Sequence, residues 1–354
     1  MKAGLLTSAG ALLLLQACGG SDERKAPDRR ADTAPAVVVE TRAPAAIASD
    51  VDAAIRRIEG PVGVSIYSFS DGWRIDRGCG RRLPQQSVSK LWVAIALMEQ
   101  VDRARIGLYD PVTVTPADRT LFHQPIVALV GEQGYRTTAL DLLLRAMTQS
   151  DNTANDRLLS LVGGPSVVND MLVRHGVRDV GFGPGERLLQ SGTAGLFWNP
   201  SLSQPGAFQQ ARSRLPAATR LAAYRRYVAA PPDGATACGI VDGLAALREG
   251  RILSKASTQT LLSIMGASVT GHARLRAGLA PGWLLSHKTG TGQQYGGRTA
   301  GFNDVGILTS PEGDAYAVAV MIGDSGSGER AGQHFIRDVA RAVVAQQVRR
   351  GSGF

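Results

Sequence analysis

Lysine is scarce in this chain. Among 354 residues there are five, Lys2, Lys25, Lys90, Lys255 and Lys288, and since lysine and arginine together number 39, the other 34 cations are arginines. Arginine stays protonated and cannot act as a base, whereas a desolvated lysine can give up its proton. A chain that supplies nearly all its positive charge as arginine has kept lysine at few positions, and those positions merit a close look. Cysteine is nearly as sparse, at three residues. Cys18, Cys79 and Cys238 match no Cys/His ligand spacing, which removes the case for zinc, and neither a metal nor a cofactor is expected. Aromatic residues make up 5% of the chain and do not interleave with runs of basic ones, so the net charge of +9 is expected to reflect a solvated, arginine-rich surface with no nucleic-acid partner. Beyond the N-terminal segment, no apolar run is long enough to cross a bilayer.

What remains has a globular balance, 44% hydrophobic and 19% charged, on a chain long enough for a sizeable core. The N-terminus, MKAGLLTSAGALLLLQAC, has an early lysine and a short apolar run, as in an export signal. Its LQAC ending resembles a bacterial lipobox. Residues 1–17 are therefore expected to be removed, with Cys18 lipidated and the product held at the membrane in the periplasm. Residues 18–48 are rich in proline, alanine and charge without apolar periodicity and read as a tether. Export would leave Cys79 and Cys238 where disulfides form, but sequence alone does not decide whether they pair.

Residues 49–350 read as one catalytic domain. DVDAAIRRIEG (50–60) suits a helix, and VGVSIYSFSDGWRID (62–76) suits a hairpin turning at Asp71-Gly72. Helical periodicity dominates from Ser87 to about Gly271. Residues 282–292, 303–310 and 315–323 then read as consecutive strands, and 334–348 as a closing helix. The expected class is α+β: an antiparallel sheet built from both ends of the domain (49–84 and 272–350) and flanked by helices, with an all-helical lobe (85–271) inserted.

Three fragments carry chemistry. In QQSVSKLWVAIALMEQ (85–100), Ser87 and Lys90 share the first turn of an apolar helix. A hydroxyl needs a neighbouring base to become a nucleophile, and a desolvated lysine can be that base. The N–H of Ser87 could also help bind an oxyanion. In SDNTAND (150–156), Ser150 offers a proton relay and Asn152 an amide for an amide-bearing substrate. In HKTGTG (287–292), Lys288 is another of the rare lysines, Thr289 offers a hydroxyl, Gly290 permits close approach of a ligand, and Thr291 offers an edge N–H. His287 reads as structural. GDSG at 323–326 looks like a protease serine motif, but the helical middle of the chain argues against that context.

SVSK, SDN and KTG, in that order, resemble the three motifs of serine β-lactamases and penicillin-binding proteins. The longer contexts, SDNTAND…LLSLVGGP and TAGFNDVGILTSPEGDAYAVAVMIGDS, are similar to class A β-lactamases, in particular to the subgroup that includes the PER and VEB enzymes. The resemblance implies a five-stranded sheet and a monomeric enzyme without cofactor. It also implies a β-lactam as the small-molecule partner and an acyl-serine intermediate on Ser87. Deacylation separates the hydrolases of this superfamily from its penicillin-binding peptidases, esterases and sensors, which acylate without fast turnover. The resemblance assigns that step to Glu186 in GERLLQ (185–190), which lies 186 − 150 = 36 residues after Ser150, with Gln190 as an amide that could share the attacking water. Two departures stand out: the family's arginine two residues before this Glu, and the proline after it, are here Pro184 and Arg187. The segment after Gln190 is also longer than the family pattern. For a substrate carboxylate, the resemblance implies Lys288, Thr289 and either Arg274 or Arg298. It places His123 near an aromatic position at the rim of the cleft.

Overall fold

The computed structural model describes residues 42–351; Cys18, the export segment and most of the expected tether lie outside the described residues. The first helix, α1 (Ala45–Ile55), starts five residues before the expected point and takes in the end of that tether. Ile47, Val51 and Ala54 are spaced to form one buried stripe, which is why the helix extends back to Ala45. The hairpin follows as β1 (Val62–Ser68) and β2 (Arg74–Arg77), paired antiparallel with Ile66 opposite Ile75. Next come the two-residue β3 (Leu83–Pro84), a 3-10 turn over Gln86–Ser89, and α2 (Lys90–Asp102).

The helical lobe contains α3 (Ala139–Leu144), α4 (Asn152–Val162), α5 (Pro165–Arg174), α6 (Glu186–Thr193), α7 (Ala207–Arg214), α8 (Ala217–Ala229), α9 (Ala237–Arg248) and α10 (Lys255–Gly266). Short pairings absent from the sequence reading interrupt it. β4 (Pro111–Val114) pairs with β5 (Tyr135–Thr138), and β6 (Gly234–Ala235) pairs with β3. The chain then returns to the sheet through β7 (Leu284–Thr291), β8 (Gln294–Tyr295), β9 (Arg298–Thr309) and β10 (Ala315–Ser325), and ends in α11 (Gly328–Gly351). The sheet order is β2-β1-β10-β9-β7, all antiparallel, with β8 hooked onto the start of β9. This is the expected five-stranded sheet plus one two-residue strand.

β10 shows how one sequence serves two layers. Ala317, Ala319 and Met321 face the core shared with α2, α9 and α10, while Tyr316, Val318, Val320 and Ile322 face the core shared with α1 and α11. Successive strand residues alternate faces, so a strand covered on both sides reads as an unbroken apolar run. The helix α2, read from the sequence as an apolar helix, is enclosed in a related way: every residue from Lys90 to Glu99 is buried. A helix surrounded by protein has no solvent face to show in its pattern. Its first turn therefore opens within the protein, and this places a lysine in the interior.

Candidate active site

Lys90 is completely buried, and its ammonium meets three groups from three elements. Its Nζ lies 2.9 Å from Ser87 Oγ and 2.9 Å from Asn152 Oδ1, and it is also ion-paired with Glu186 Oε1. A buried ammonium needs hydrogen-bond acceptors on every side to offset its lost hydration. The fragments singled out from the sequence supply two of them, and the first residue of α6 supplies the carboxylate.

The local folding explains the SDN spacing. Ser150 sits in the left-handed region at φ 63°, ending the preceding helical turn. Asp151 then caps α4, its carboxylate accepting from Ala154 N at 2.9 Å and from Ile126 N at 2.6 Å. Asn152 becomes the first helical residue, held by its side-chain donation to Leu121 O at 2.8 Å, so its oxygen is turned to Lys90. Opposite, on β7, Lys288 Nζ donates to Ser150 Oγ at 2.9 Å and to Thr289 O at 3.0 Å. Burial, and then the nearby Lys90 charge, push the Lys288 pKa well below its usual value. The pair of buried lysines thus holds two serine hydroxyls, Ser87 and Ser150, in one neighbourhood.

Glu186 opens α6 and is buried. Its N–H donates to Asp156 Oδ1 at 2.8 Å, and the N–H of Arg187 donates to Asp156 Oδ2 at 3.1 Å. The Arg187 guanidinium lies 3.5 Å from the same carboxylate. Arg187, the residue after Glu186, thus ties the head of α6 to α4 by an ion pair. Burial, reinforced by the Glu186 charge, raises the Asp156 pKa to about 6 despite these donors. Asp156 was not singled out from the sequence, although it is the second Asp of the SDNTAND stretch, one helical turn beyond Asn152.

A cleft of about 390 Å³ runs between β7 and the helical lobe. Ser87, Ser150, Asn152, Gln190, Arg274, Thr289, Thr291 and His123 all line it, and Lys90, Lys288 and Glu186 lie buried behind these residues. The Arg274 guanidinium donates to Gly290 O at 3.0 Å, Asn303 O at 2.7 Å and Thr291 Oγ1 at 2.5 Å, and lies over the Phe302 ring at 3.7 Å. It is thereby locked against the strand that carries Thr289 and Thr291. Phe122, which the sequence reading passed over, also lines the cleft beside His123, in the left-handed region at φ 61°.

One expectation is corrected. Arg298 does not reach the cleft: it pairs with Asp324 at 2.8 Å and Glu59 at 2.9 Å. It starts β9, opposite Tyr295 of β8, and that register aims it towards the end of β10. Gly290 is required by the fold itself: a Cβ there would stand 2.3 Å from Gln85 O, so β7 packs closely on the chain leading to Ser87. His287 is structural, as read: it is fully buried, with Nδ1 2.7 Å from Asp304 Oδ1. Ser325 of the GDSG stretch ends β10, paired with Thr299. Cys79 and Cys238 form a disulfide with Cα atoms 5.7 Å apart, so together with Asp76 they offer no free thiolate pair to a metal.

Comparison with known proteins gives a consistent result. Residues 46–347 match the family described as "Beta-lactamase enzyme family". The extended-spectrum beta-lactamase PER-1 of Pseudomonas aeruginosa is 26% identical over 82% of this chain and 83% of its own length. A beta-lactamase structure from Chitinophaga pinensis superposes with a TM-score of 0.71 at 26% identity, covering 85% of this chain and 99% of that one. A variant of the reconstructed last common ancestor of the Gram-negative class A beta-lactamases is 27% identical, with a TM-score of 0.67, over 86% of this chain and all of that one.

Proposed function

The chain belongs to the beta-lactamase enzyme family, and from that premise we propose how it hydrolyses β-lactams as a class A serine enzyme: Ser87 is the nucleophile and Glu186 the base of deacylation. The observation that carries this reading is the position of Lys90, in contact at once with the Ser87 hydroxyl and the Glu186 carboxylate. Lys90 can accept a proton from Ser87 only when neutral, and Glu186 beside it can take the ammonium proton beforehand. Ser87 Oγ then attacks the lactam carbonyl, with the N–H groups of Ser87 and Thr291 facing the oxyanion. The C–N bond breaks, and Ser150, hydrogen-bonded to Lys288, passes its proton to the departing nitrogen; the Lys90 ammonium then restores the Ser150 proton and recovers its own from Glu186, which is a carboxylate again before water attacks. Lys288, Thr289 and the Thr291 hydroxyl steadied by Arg274 meet the substrate carboxylate, and Asn152 meets its side-chain amide.

Hydrolysis of the acyl-serine needs a water whose proton goes to a carboxylate. Glu186, held at the head of α6 by Asp156 and Arg187, fills that role. Substitution of Glu186 by Gln should leave Ser87 able to acylate and then stall. Mass spectrometry should find a long-lived penicilloyl adduct on Ser87, absent in Ser87→Ala, and nitrocefin turnover should fall by about two to four decades. Unchanged turnover in Glu186→Gln would show that another base deacylates, and a single stoichiometric burst from the wild type would show a β-lactam binder in place of a hydrolase.

The same reading extends to location. We propose export to the periplasm with lipidation at Cys18, supported by the LQAC ending and by a disulfide of the kind formed in oxidising compartments. Mass analysis of the membrane fraction for a diacylglyceryl-modified Cys18 tests it; a soluble product cleaved elsewhere would overturn it.

A further inference from the structure

Three glutamines stand between the nucleophile and the proposed deacylating carboxylate, and their amides admit only one orientation. Glu186 Oε2 is an acceptor, so the Gln190 atom 3.1 Å from it must be Nε2. That turns Gln190 Oε1 away from Glu186, towards Gln293. The Gln293 atom facing it lies 3.0 Å from that oxygen and 2.8 Å from the Gln190 main-chain oxygen. Two acceptors require a donor, so this atom is Nε2. Gln86, the residue before Ser87, completes the set. Its Nε2 donates to Ala300 O at 3.1 Å and Tyr227 Oη at 2.6 Å, leaving Oε1 to accept from Gln190 Nε2 at 3.3 Å.

The network is nearly buried in the wall of the cleft, which Gln190 and Gln293 line, and Gln293 Oε1 has no hydrogen-bond partner among the described residues. An unsatisfied buried carbonyl is costly, so the amide is held in place by what its N–H group does. The backbone is shaped to bring it there. A Cβ at Gly292 would stand 1.9 Å from Ala300 O, so only glycine lets the chain turn from β7 towards Gln190 at this point.

We propose that Gln293 is a positioning residue for deacylation. By donating to both oxygens of Gln190, it fixes the Gln190 amide with its N–H on Glu186, and so fixes the direction from which the carboxylate can take a proton from water. The inference rests on Glu186 being the base of deacylation. It also changes the expected role of Gln190, whose oxygen is committed to Gln293 and whose N–H steadies the carboxylate.

The test separates donors from acceptors at position 293 and acylation from deacylation. Gln293→Met removes the donor, Gln293→Glu presents an acceptor to two acceptors, and Gln293→Lys keeps a donor of similar reach. Acylation of Ser87 by benzylpenicillin, followed by intact-mass spectrometry, should stay within about twofold of wild type in all three. Adduct release should slow about tenfold in Gln293→Met and Gln293→Glu, the scale of one lost hydrogen bond near a charged group, and recover to within about threefold in Gln293→Lys. Equal slowing of both steps, or loss in Gln293→Lys as large as in Gln293→Met, would overturn the proposal and leave a packing role. Glu186→Gln, run alongside, keeps the two readings distinguishable. If it does not stall, the base assignment fails and this inference with it; if it stalls while the Gln293 series is flat, only this inference fails.

Discussion

Lys90 occupies a position that few residues could fill. Its ammonium is fully buried, joined to one carboxylate, one amide oxygen and one hydroxyl, and it begins a helix whose macrodipole disfavours a cation there. An ion pair of this kind adds little stability over an apolar packing, so its presence points to chemistry. Arginine would keep the charge and could not give up a proton. Lys90→Arg is therefore expected to fold, if its larger head can be seated, and to lose acylation of Ser87 by at least about a hundredfold. Pre-steady-state labelling with a fluorescent penicillin measures this directly, and near wild-type labelling would reduce Lys90 to an electrostatic role. The residues that form this site differ in how visible they are in sequence. Ser87, Lys90, Ser150, Asn152 and Lys288 are legible because each stands at fixed spacing from another functional group. Gln86 and Gln293 are not, because an amide acquires a role only when a distant partner fixes its orientation. Arg298 was misread because two candidate guanidiniums near one strand cannot be told apart until the register of β8 on β9 is known.

At the scale of elements, the segment after α6 has a use that its sequence concealed. It folds into α7 and its approach, and Phe208, Leu202 and Ala194 form a small apolar cluster with Leu121. Phe208 meets Phe122 edge-on at 4.9 Å between ring centroids, and Phe122 lines the cleft. This segment thus supports the wall of the cleft from outside. Phe208→Ala should cost about 3 kcal/mol of stability, as for an aromatic removed from a core. It should also raise KM for β-lactams more than it lowers kcat, since Phe122 lines the cleft and carries no group that transfers a proton. Calorimetry with steady-state kinetics checks both; a destabilised protein with unaltered KM would show that Phe122 needs no support. The strands and long helices were legible through alternation and periodicity, and β10 is the clearest case. The ends of elements were not: α11 begins six residues before the expected His334 because Gly328 and Glu329 carry no apolar signal, and the two-residue strands β3 and β6 are held only by pairing with each other across the fold, whereas β8 turns directly into β9 through Gly296-Gly297.

At the scale of the molecule, the Cys79–Cys238 bond closes the longest covalent loop among the described residues, joining positions 159 apart in sequence. Cys79 follows β2, the outer strand of the sheet, and Cys238 lies in the first turn of α9, which packs on β1 and β10. The loop encloses the whole inserted stretch between the sheet's N-terminal hairpin and α9, including Ser87, Ser150 and Glu186. An edge strand has hydrogen bonds on one side only and is the element most easily peeled away. Here it is tied to α9 by the disulfide and by Arg74, whose guanidinium reaches Asp242 at 2.5 Å and Cys238 O at 3.1 Å, and to α1 by Arg77, whose guanidinium meets Asp52 at 2.7 Å. Restricting the unfolded chain by a loop of this length is worth at most about 5 kcal/mol in the chain-entropy account, and less if the denatured state is already compact. The Arg74 contacts persist without the bond, so the sheet edge should stay docked in the native state. Neither cysteine lines the cleft. The Cys79→Ser, Cys238→Ser double variant is thus expected to unfold several degrees lower, and at lower denaturant, while its kcat/KM at 25 °C stays within about twofold of wild type. Thermal and urea unfolding of the wild type with and without reductant, run beside the variant, should give matching losses. Equal midpoints in all three would mean that the bond contributes nothing to stability. A fall in kcat/KM in the still-folded variant would mean that the sheet edge and the cleft are coupled through α9.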